Sequence, residues 1–265
     1  MKIGFVGAGN MGQAILKGLI TSGFSKDDLL AVTKTLESSK KISQVFKVNA
    51  SNNIKTIKDC DVVFLGVKPQ NIGEVLPEIK ISLKNNALLI SLAVGIKTES
   101  IEKIFDNKVK VIRAMPNTPA LVGKGVTGLA KGANATENDL EVAQKLFFSI
   151  GKVVVVDENL IDVVAAASGS GPAYYFYVTE AITQAAIELG LSKDVAQVLV
   201  NNTFIGSSHL FENSNEDVSD LRKKVTSPKG TTLAALENLD QNNFNEIWKD
   251  ALTAAIKRAK EISNS

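Results

Sequence analysis

Six consecutive residues near the start of the chain have the glycine spacing of a nucleotide-binding turn. They follow a short apolar run and read Gly7-Ala8-Gly9-Asn10-Met11-Gly12. In this pattern the first glycine permits a tight turn, the second lets the backbone approach a pyrophosphate, and the third allows a helix to pack closely on a strand. The helix that follows offers free N–H groups and the positive end of its dipole to phosphates. The spacing predicts a dinucleotide site, and a purely structural glycine turn is the alternative.

The residues after the second predicted strand bear on the choice of cofactor. They read Thr33-Lys34-Thr35, and no carboxylate follows until Glu37. Sites that prefer NAD usually place an Asp or Glu near the end of this strand to hold the ribose 2′-hydroxyl. A lysine flanked by hydroxyls suits a 2′-phosphate instead, through charge and hydrogen bonds. The pattern favours NADPH, with NADH as the alternative cofactor and a solvent-facing Lys34 as the structural alternative.

A second turn with chemistry-bearing side chains lies late in the chain. It precedes a predicted helix and reads Ser227-Pro228-Lys229-Gly230-Thr231-Thr232. Free N–H groups at the start of that helix, together with the serine and threonine hydroxyls, would form a cradle for a carboxylate. The structural alternative is an N-cap with a proline turn, because Ser, Thr and Gly are common at such places.

Short apolar runs alternate with helical patterns through residues 1–157. The predicted strands are Lys2–Val6, Leu29–Thr33, Asp61–Val67, Ala87–Leu92, Lys110–Ala114 and Lys152–Val156. Predicted helices lie at Met11–Thr21, Leu36–Val45, Asn71–Ile81, Thr98–Phe105 and Glu137–Ser149. Because the strands are apolar on both faces, helices should cover both sides of a largely parallel sheet. The fold class is therefore α/β, with an N-terminal Rossmann-type doubly wound sheet.

The segments that follow the later strands are placed to line a nucleotide crevice. They are Val67-Lys68-Pro69, Leu92-Ala93-Val94-Gly95 and Met115-Pro116-Asn117-Thr118-Pro119. Ligands of such sheets bind beyond the carboxyl ends of the strands, where these segments should lie. Each segment taken alone is also compatible with an ordinary loop.

Residues 158–265 are predicted to form an all-helical dimerisation and substrate domain. The segment Ala173–Leu189 is apolar nearly all round. Such a helix must be enclosed by its own domain or by another subunit. We expect a homodimer through these C-terminal helices, with a larger ring such as a decamer left open; an ordinary central core helix is the alternative.

Composition excludes several classes of partner. The net charge is +2, with basic residues scattered along the chain, which argues against a nucleic-acid surface. The longest apolar candidate, Ala87–Ile96, is about half of what a membrane span needs. One cysteine, Cys60, and one histidine, His209, are too few for a zinc site, so we expect no metal. The lone cysteine fits a reducing compartment, and we expect a cytoplasmic protein.

Several segments together resemble the pyrroline-5-carboxylate reductase family across residues 1–262. They are the opening GFVGAGNMG, the segment GVKPQ at 66–70, MPNTPALVGKG at 115–125, SGSGPAY at 168–174 and LRKKVTSPKGTTLAAL at 221–236. The last is similar to the signature of the family and is the most specific of the set. The resemblance implies a Rossmann domain, a helical dimerisation domain and NADPH-dependent reduction of 1-pyrroline-5-carboxylate to proline.

The same resemblance implies residue roles. The nucleotide would meet Gly7–Gly12, Thr33, Lys34, Asn53, Val67–Pro69 and Leu92–Val94. The substrate would meet Ser227–Thr232, with Glu158 nearby, where subunits of the family intertwine. Lys224 would lie near the nucleotide, at a position where some relatives carry Asn. The family more often has two glycines after the proline of its signature, whereas this chain has Lys229 before Gly230.

The chemistry of an imine explains why a strong acid is not required. Reduction of a ketone or aldehyde leaves an alkoxide, so such enzymes need a positioned proton donor. Related hydroxyacid dehydrogenases carry a lysine early in the helix after a similar glycine-rich segment, but the stretch Tyr174–Val178 contains none. A cyclic imine accepts its proton before hydride arrives, and the product is a neutral amine. We assign Thr232 the role of orienting the ring nitrogen through its hydroxyl.

For four other features, the sequence leaves a second interpretation open. Lys68 is expected to serve the nucleotide, with a part in the reaction as the alternative. Arg113 is expected to pair locally, with attraction of the substrate carboxylate as the alternative. The tyrosines at 174–177 are expected to be core residues, with weak acid catalysis as the alternative. His209 is expected at the surface, late in a helix, with a catalytic role as the alternative. The alternative functions are a Rossmann reductase of another imine or a small keto acid, and a non-catalytic NADP(H)-binding sensor.

Overall fold

The structure is a computed structural model that describes residues 1–263, without the side chains of Pro69, Ile262 and Ser263. Eight strands form one sheet in the order β3-β2-β1-β4-β5-β6-β7-β8. The strands are β1 Ile3–Val6, β2 Leu29–Val32, β3 Asn49–Ser51, β4 Val62–Leu65, β5 Leu88–Ser91, β6 Lys110–Met115, β7 Gly125–Lys131 and β8 Gly151–Val155. All neighbours are parallel except β6 and β7, which are antiparallel. The predicted doubly wound α/β sheet is confirmed.

Two strands were not expected from the sequence. β3 is short and polar, and β7 contains two glycines, so neither shows the apolar run that marks a buried parallel strand. Each exists because a neighbour supplies the pairing: β3 lies beside β2, and β7 lies between β6 and β8.

Five helices of at least seven residues connect the strands, α1 Asn10–Thr21, α2 Leu36–Phe46, α3 Ile72–Ser82, α4 Thr98–Ile104 and α5 Glu137–Phe147. Alternate residues of the central strands feed two apolar clusters on opposite faces of the sheet. Phe5 and Phe64 stack in one cluster with ring centroids 4.7 Å apart, and Phe147 of α5 meets Phe64 edge-on. Val63 and Leu65 belong to the other cluster, which packs on α3 and α4. Burial on both faces is what fixes these strands in the centre.

A capping box starts helix α5. The Thr136 hydroxyl accepts the N–H of Asp139, and the Asp139 carboxylate accepts the N–H of Thr136 at 2.8 Å. Lys110 of β6 also donates to Asp139, at 3.1 Å. Burial by itself would raise the pKa of the Asp139 carboxyl, but the hydrogen bonds from Thr136 and Lys110 outweigh it and lower the pKa. The ionised carboxylate therefore ties α5 to the sheet.

Cys60 lies just before β4 and is buried, with 2 % of its surface exposed. A Cβ added at Gly4 would come within 3.0 Å of its sulfur, so the thiol fills the space beside β1. Burial, with the nearby charges of Asp59 and Asp61, raises the pKa of the thiol to about 11. The thiol is therefore neutral at physiological pH.

Residue contacts divide the described residues into two compact units. The first is Met1–Ser170 together with residues 255–263, and the second is Gly171–Ala254. This division falls later than the predicted boundary after residue 157. The first unit also contains the short helix α6 Ile161–Val164, which continues into a π-helical segment over Ala165–Gly169. Asn264 and Ser265, the last residues of the predicted helical domain, lie outside the described residues.

The second unit is entirely helical in the part that the structure describes. It contains α7 Gly171–Glu188, α8 Lys193–Glu212, α9 Val218–Lys224 and α10 Thr231–Gln241, and it includes the first part of α11 Phe244–Ser263. Many apolar side chains of α7 and α8 are exposed, among them Phe176 and Leu199. No helix within residues 1–263 combines the length and the apolar character that crossing a membrane requires.

Candidate functional site

The glycine turn lies between β1 and α1, at the carboxyl end of the central strands. Gly7 has φ +86°, a conformation that side chains other than glycine rarely adopt. Its N–H donates to the carbonyl of Val32 at 2.9 Å, and a Cβ here would lie 2.7 Å from the backbone of Gly66 and Val67. Glycine at this position therefore lets the ends of β1, β2 and β4 come together.

The second and third glycines fit the backbone to a dinucleotide. A Cβ added at Gly9 would meet nothing within 4 Å, so the space beside this backbone is open. Gly9 is the N-cap of α1 and has no side-chain cap, which leaves the first N–H groups of the helix available to an anion. A Cβ at Gly12 would lie 3.2 Å from the carbonyl oxygen of Gly7, so the helix starts close against the turn. This is a cradle that a Cβ would fill and a pyrophosphate fits.

A cavity of about 450 Å³ opens at the same edge of the sheet. Five residues predicted to meet the nucleotide line it, namely Gly7, Thr33, Lys34, Val67 and Lys68. Ile54 and Val75 form an apolar part of the wall, which suits an adenine ring. Both Lys34 and Lys68 are exposed, so their ammonium groups can reach a phosphate at the rim of the cavity.

The remaining nucleotide predictions have mixed settings. Asn53 is exposed and its side-chain oxygen accepts the N–H of Lys55, whereas its neighbour Asn52 lines the cavity. Leu92, Ala93 and Val94 follow β5 at the same edge, where the N–H of Leu92 donates to the carbonyl of Leu65 at 3.0 Å. The side chain of Pro69 lies outside the described residues. The roles of these residues stay predictions.

The late polar turn belongs to the second unit. The N–H of Gly230 donates to the carbonyl of Ser227 at 3.0 Å, and Lys229 has φ +58°. A Cβ at Gly230 would overlap the Ser227 hydroxyl, so a side chain at this position would push that hydroxyl away from the turn. Helix α10 begins at Thr231 and lacks a side-chain cap. Its first N–H groups therefore stand beside the hydroxyls of Ser227, Thr231 and Thr232, a set of donors that suits a carboxylate.

Glu158 lies in the first unit, in a network of ion pairs. Its carboxylate accepts the backbone N–H of Thr98 at 2.6 Å and the Thr98 hydroxyl at 2.7 Å. Arg113 is almost fully buried and pairs with Asp162 at 2.8 Å and with Glu158 at 3.8 Å. The predicted local pairing of Arg113 is confirmed. The predicted proximity of Glu158 to the substrate stays a prediction.

Other candidate side chains have ordinary surroundings. His209 is exposed near the end of α8, with Nδ1 3.5 Å from a carboxylate oxygen of Glu212, which confirms its predicted surface position. Lys224 pairs with Glu216 at 2.6 Å. Tyr175 and Tyr177 are exposed in the single chain, so the expectation that they are core residues is wrong for one subunit alone. The reason is that α8 covers only part of the surface of α7.

Sequence reasoning did not identify the buried setting of two polar side chains, and one of them, Asn117, stands in a segment that was predicted to line the nucleotide crevice. The amide of Asn117 donates to Ser168 and accepts the N–H of Val126 at 2.9 Å, which braces the segment after β6. Ser39 is 2 % exposed on α2, beside Thr33. Ser39 did carry a signal, because it stands one helical turn before Ile42 on the apolar face, where a hydrophobic residue is expected. Within residues 1–263 no group of three His, Cys, Asp or Glu side chains is placed to hold a metal ion.

Two family matches cover most of the chain. Residues 158–262 match the family described as pyrroline-5-carboxylate reductase dimerisation. Residues 2–95 match the family described as NADP oxidoreductase, coenzyme F420-dependent. The first match lies over the C-terminal helices and the second over the glycine turn and the cavity.

Curated relatives match over nearly their whole length. The chain is 35 % identical to a pyrroline-5-carboxylate reductase of Arabidopsis thaliana, covering 100 % of this chain and 96 % of the relative. It is 37 % identical to the reductase of Haemophilus influenzae, covering 98 % and 97 %.

Solved structures are also similar to this chain. A pyrroline-5-carboxylate reductase of Coxiella burnetii superposes with a TM-score of 0.94 at 37 % identity, covering 100 % of this chain and 99 % of that one. A pyrroline carboxylate reductase of Plasmodium falciparum with NADP bound superposes with a TM-score of 0.85 at 29 % identity, covering 99 % and 98 %.

Proposed function

The chain belongs to the pyrroline-5-carboxylate reductase family, and from that premise we propose that it reduces 1-pyrroline-5-carboxylate to L-proline with NADPH, the last step of proline biosynthesis. The observation that carries the proposal is the open backbone at Gly9, beside an uncapped helix start and a cavity lined by Lys34. This arrangement suits a dinucleotide with an additional phosphate.

The residues of the first unit hold and orient the nucleotide. The turn Gly7–Gly12 binds the pyrophosphate, with Ala8, Asn10 and Met11 between the glycines. Thr33 and Lys34 meet the 2′-phosphate, and Lys68 adds a second positive charge. Asn53, Val67, Pro69 and the segment Leu92–Val94 complete the proposed contacts. The bound nucleotide supplies a hydride, and the protein contributes by holding the acceptor carbon within reach of it.

The residues of the second unit hold the substrate. Ser227, Gly230, Thr231 and Thr232 offer hydroxyls and backbone N–H groups to its carboxylate, and Glu158 is proposed to lie nearby. The ring nitrogen carries its proton before reduction, so the adjacent carbon is electron-poor. Hydride addition to that carbon leaves a neutral amine. The Thr232 hydroxyl orients the nitrogen, and no strong acid is needed.

We also propose a homodimer through the C-terminal helices, with a larger ring such as a decamer built from dimers. The match of residues 158–262 to a dimerisation family supports an oligomer. Exposed apolar side chains on α7 and α8, among them Phe176, Ile182, Val198 and Leu199, support these helices as the contact. A cytoplasmic location is proposed because the chain has a single, buried cysteine.

Comparison of substrates tests the proposed function. NADPH oxidation is measured with 1-pyrroline-5-carboxylate and with small keto acids, and NADPH binding is measured without substrate. We expect turnover of the imine alone. Turnover of keto acids would favour a Rossmann reductase of another substrate class, and tight NADPH binding without any turnover would favour a non-catalytic sensor.

A further inference from the structure

We propose that Ser39, a buried residue of α2, sets the Thr33 hydroxyl as a hydrogen-bond donor to the 2′-phosphate and thereby strengthens the preference for NADPH over NADH. This inference rests on the proposed use of NADPH. Ser39 is a positioning residue, since it acts on the nucleotide through Thr33.

The geometry places Ser39 directly behind Thr33. Thr33 lines the cavity, whereas Ser39 is 2 % exposed and cannot itself be reached by a ligand. The two hydroxyl oxygens are 2.7 Å apart. The carbonyl oxygen of Thr35 lies 3.0 Å from the Thr33 hydroxyl and 3.2 Å from the Ser39 hydroxyl. These contacts join the end of β2 to the first turns of α2.

Ser39 contributes a proton that the Thr33 hydroxyl can accept. Three close contacts share the protons of two hydroxyls, so one hydroxyl must donate to the other and the remaining proton goes to the carbonyl of Thr35. A phosphate oxygen that arrives at Thr33 accepts hydrogen bonds but donates none at neutral pH. Thr33 then donates to the phosphate, and Ser39 donates to Thr33. Ser39 can follow this change without moving, because its proton rotates from one acceptor to the other.

The position of Ser39 argues against the alternative that its hydroxyl only bonds to the backbone of its own helix. A helical serine often bonds to the carbonyl four residues earlier, which here is Thr35. That contact is the longer of the two that Ser39 makes, and the shorter one leads to Thr33. The face that Ser39 shares with Ile42 and Phe46 otherwise packs against the apolar core. A buried hydroxyl there is explained by its bond to Thr33.

The expected effect is specific to ligands with a 2′-phosphate. We expect the Ser39→Ala variant to bind adenosine 2′,5′-bisphosphate about three- to tenfold more weakly, the equivalent of one lost hydrogen bond. Binding of adenosine 5′-monophosphate, which lacks the 2′-phosphate, should change by less than about twofold. Titration calorimetry with the full chain measures both dissociation constants. In the Ser39→Ala variant, the ratio of the KM for NADPH to the KM for NADH should therefore rise.

Three further variants sharpen the test. Ser39→Cys replaces the hydroxyl with a somewhat larger thiol that donates only weakly, so it should lose the bond to Thr33 as Ser39→Ala does. Ser43→Ala removes a hydroxyl one turn later on the same helix and should leave both ligands unaffected. Lys34→Ala removes a direct phosphate contact and must weaken only the bisphosphate.

A double variant tests whether Ser39 acts through Thr33. If it does, Thr33→Ala combined with Ser39→Ala should bind the bisphosphate no more weakly than Thr33→Ala alone. Additive losses, equal losses for the two ligands, or unchanged binding in Ser39→Ala would each overturn the proposal. A shift in ligand preference without any turnover of the imine would support the role of Ser39 and contradict the proposed reaction instead.

Discussion

Glu158 clamps the start of α4 by using both oxygens of its carboxylate on one residue, Thr98. One oxygen accepts the Thr98 N–H at 2.6 Å and the other accepts its hydroxyl at 2.7 Å. The helix thereby gains an N-terminal partner from a segment 60 residues away in the chain. The negative charge of Glu158 also interacts favourably with the positive end of the helix dipole.

Loss of this clamp should lower stability. We expect Glu158→Gln to reduce the free energy of unfolding by about 1–3 kcal/mol, because it weakens two hydrogen bonds to a charged group and removes a negative charge beside the buried Arg113. Urea denaturation measures the change. Glu99→Gln, at an exposed ion pair on the same helix, should change stability by less than about 0.5 kcal/mol.

The same pair of positions tests the predicted substrate contact of Glu158. Thr98→Val removes the hydroxyl from the clamp and leaves the carboxylate in place. A rise in KM for 1-pyrroline-5-carboxylate in Glu158→Gln that Thr98→Val does not share would support a contact with the substrate. Equal KM values in the two variants would limit Glu158 to its structural role.

Thr232 should matter for turnover more than for folding. Removal of its hydroxyl in Thr232→Ala is expected to lower kcat about ten- to hundredfold, as for the loss of a hydrogen bond to a charged group. Thr232→Ser should recover most of the activity. Thr253→Ala, on an exposed position of α11, is the matched control. Full imine turnover in Thr232→Ala would remove the proposed role.

Lys229 should store backbone strain. Its φ of +58° lies in the left-handed region, and it follows a proline in a turn closed by the bond from Gly230 to Ser227. Lys229→Gly should therefore raise the free energy of unfolding by about 1 kcal/mol. Lys229→Ala, which keeps a Cβ, should give no such gain. A gain of equal size in both variants would assign the effect to the lost charge.

Asp139 should make stability depend on pH in the acid range. Its pKa is lower in the folded protein than in the unfolded chain, so its contribution is complete above the unfolded value of about 4 and is lost as the pH falls through the folded value. Asp139→Asn should cost about 1–2 kcal/mol at pH 7. The difference from the parent protein should shrink below about pH 4. Glu141→Gln, exposed on the same helix, is the control and should change the free energy of unfolding at pH 7 by less than about 0.5 kcal/mol.

Local patterns account for what could be predicted from the sequence. The runs around Phe5 and Phe64 indicated parallel strands because burial on both faces leaves no polar alternation. The glycine turn was predictable because each glycine answers a local requirement of the backbone. β3 and β7 were missed because their pairing is supplied by neighbouring strands rather than by their own composition.

Contacts between distant segments were not predictable in the same way. The hydrogen bonds that Thr98 donates to Glu158 and that Asn117 donates to Ser168 depend on which connections meet at an edge of the sheet. One sequence does not contain that information. Ser39 is an intermediate case, since its polar side chain on an apolar helix face indicated a buried partner without identifying Thr33.

Because Cys60 is buried, the protein is suited to site-directed labelling at an introduced cysteine. The chain has one cysteine, and its thiol is 2 % exposed with its pKa raised to about 11. Maleimide reagents should therefore leave the native protein unmodified at neutral pH. A fluorophore or spin label attached to a cysteine introduced at a surface position would report from that position alone, with the natural thiol left in place.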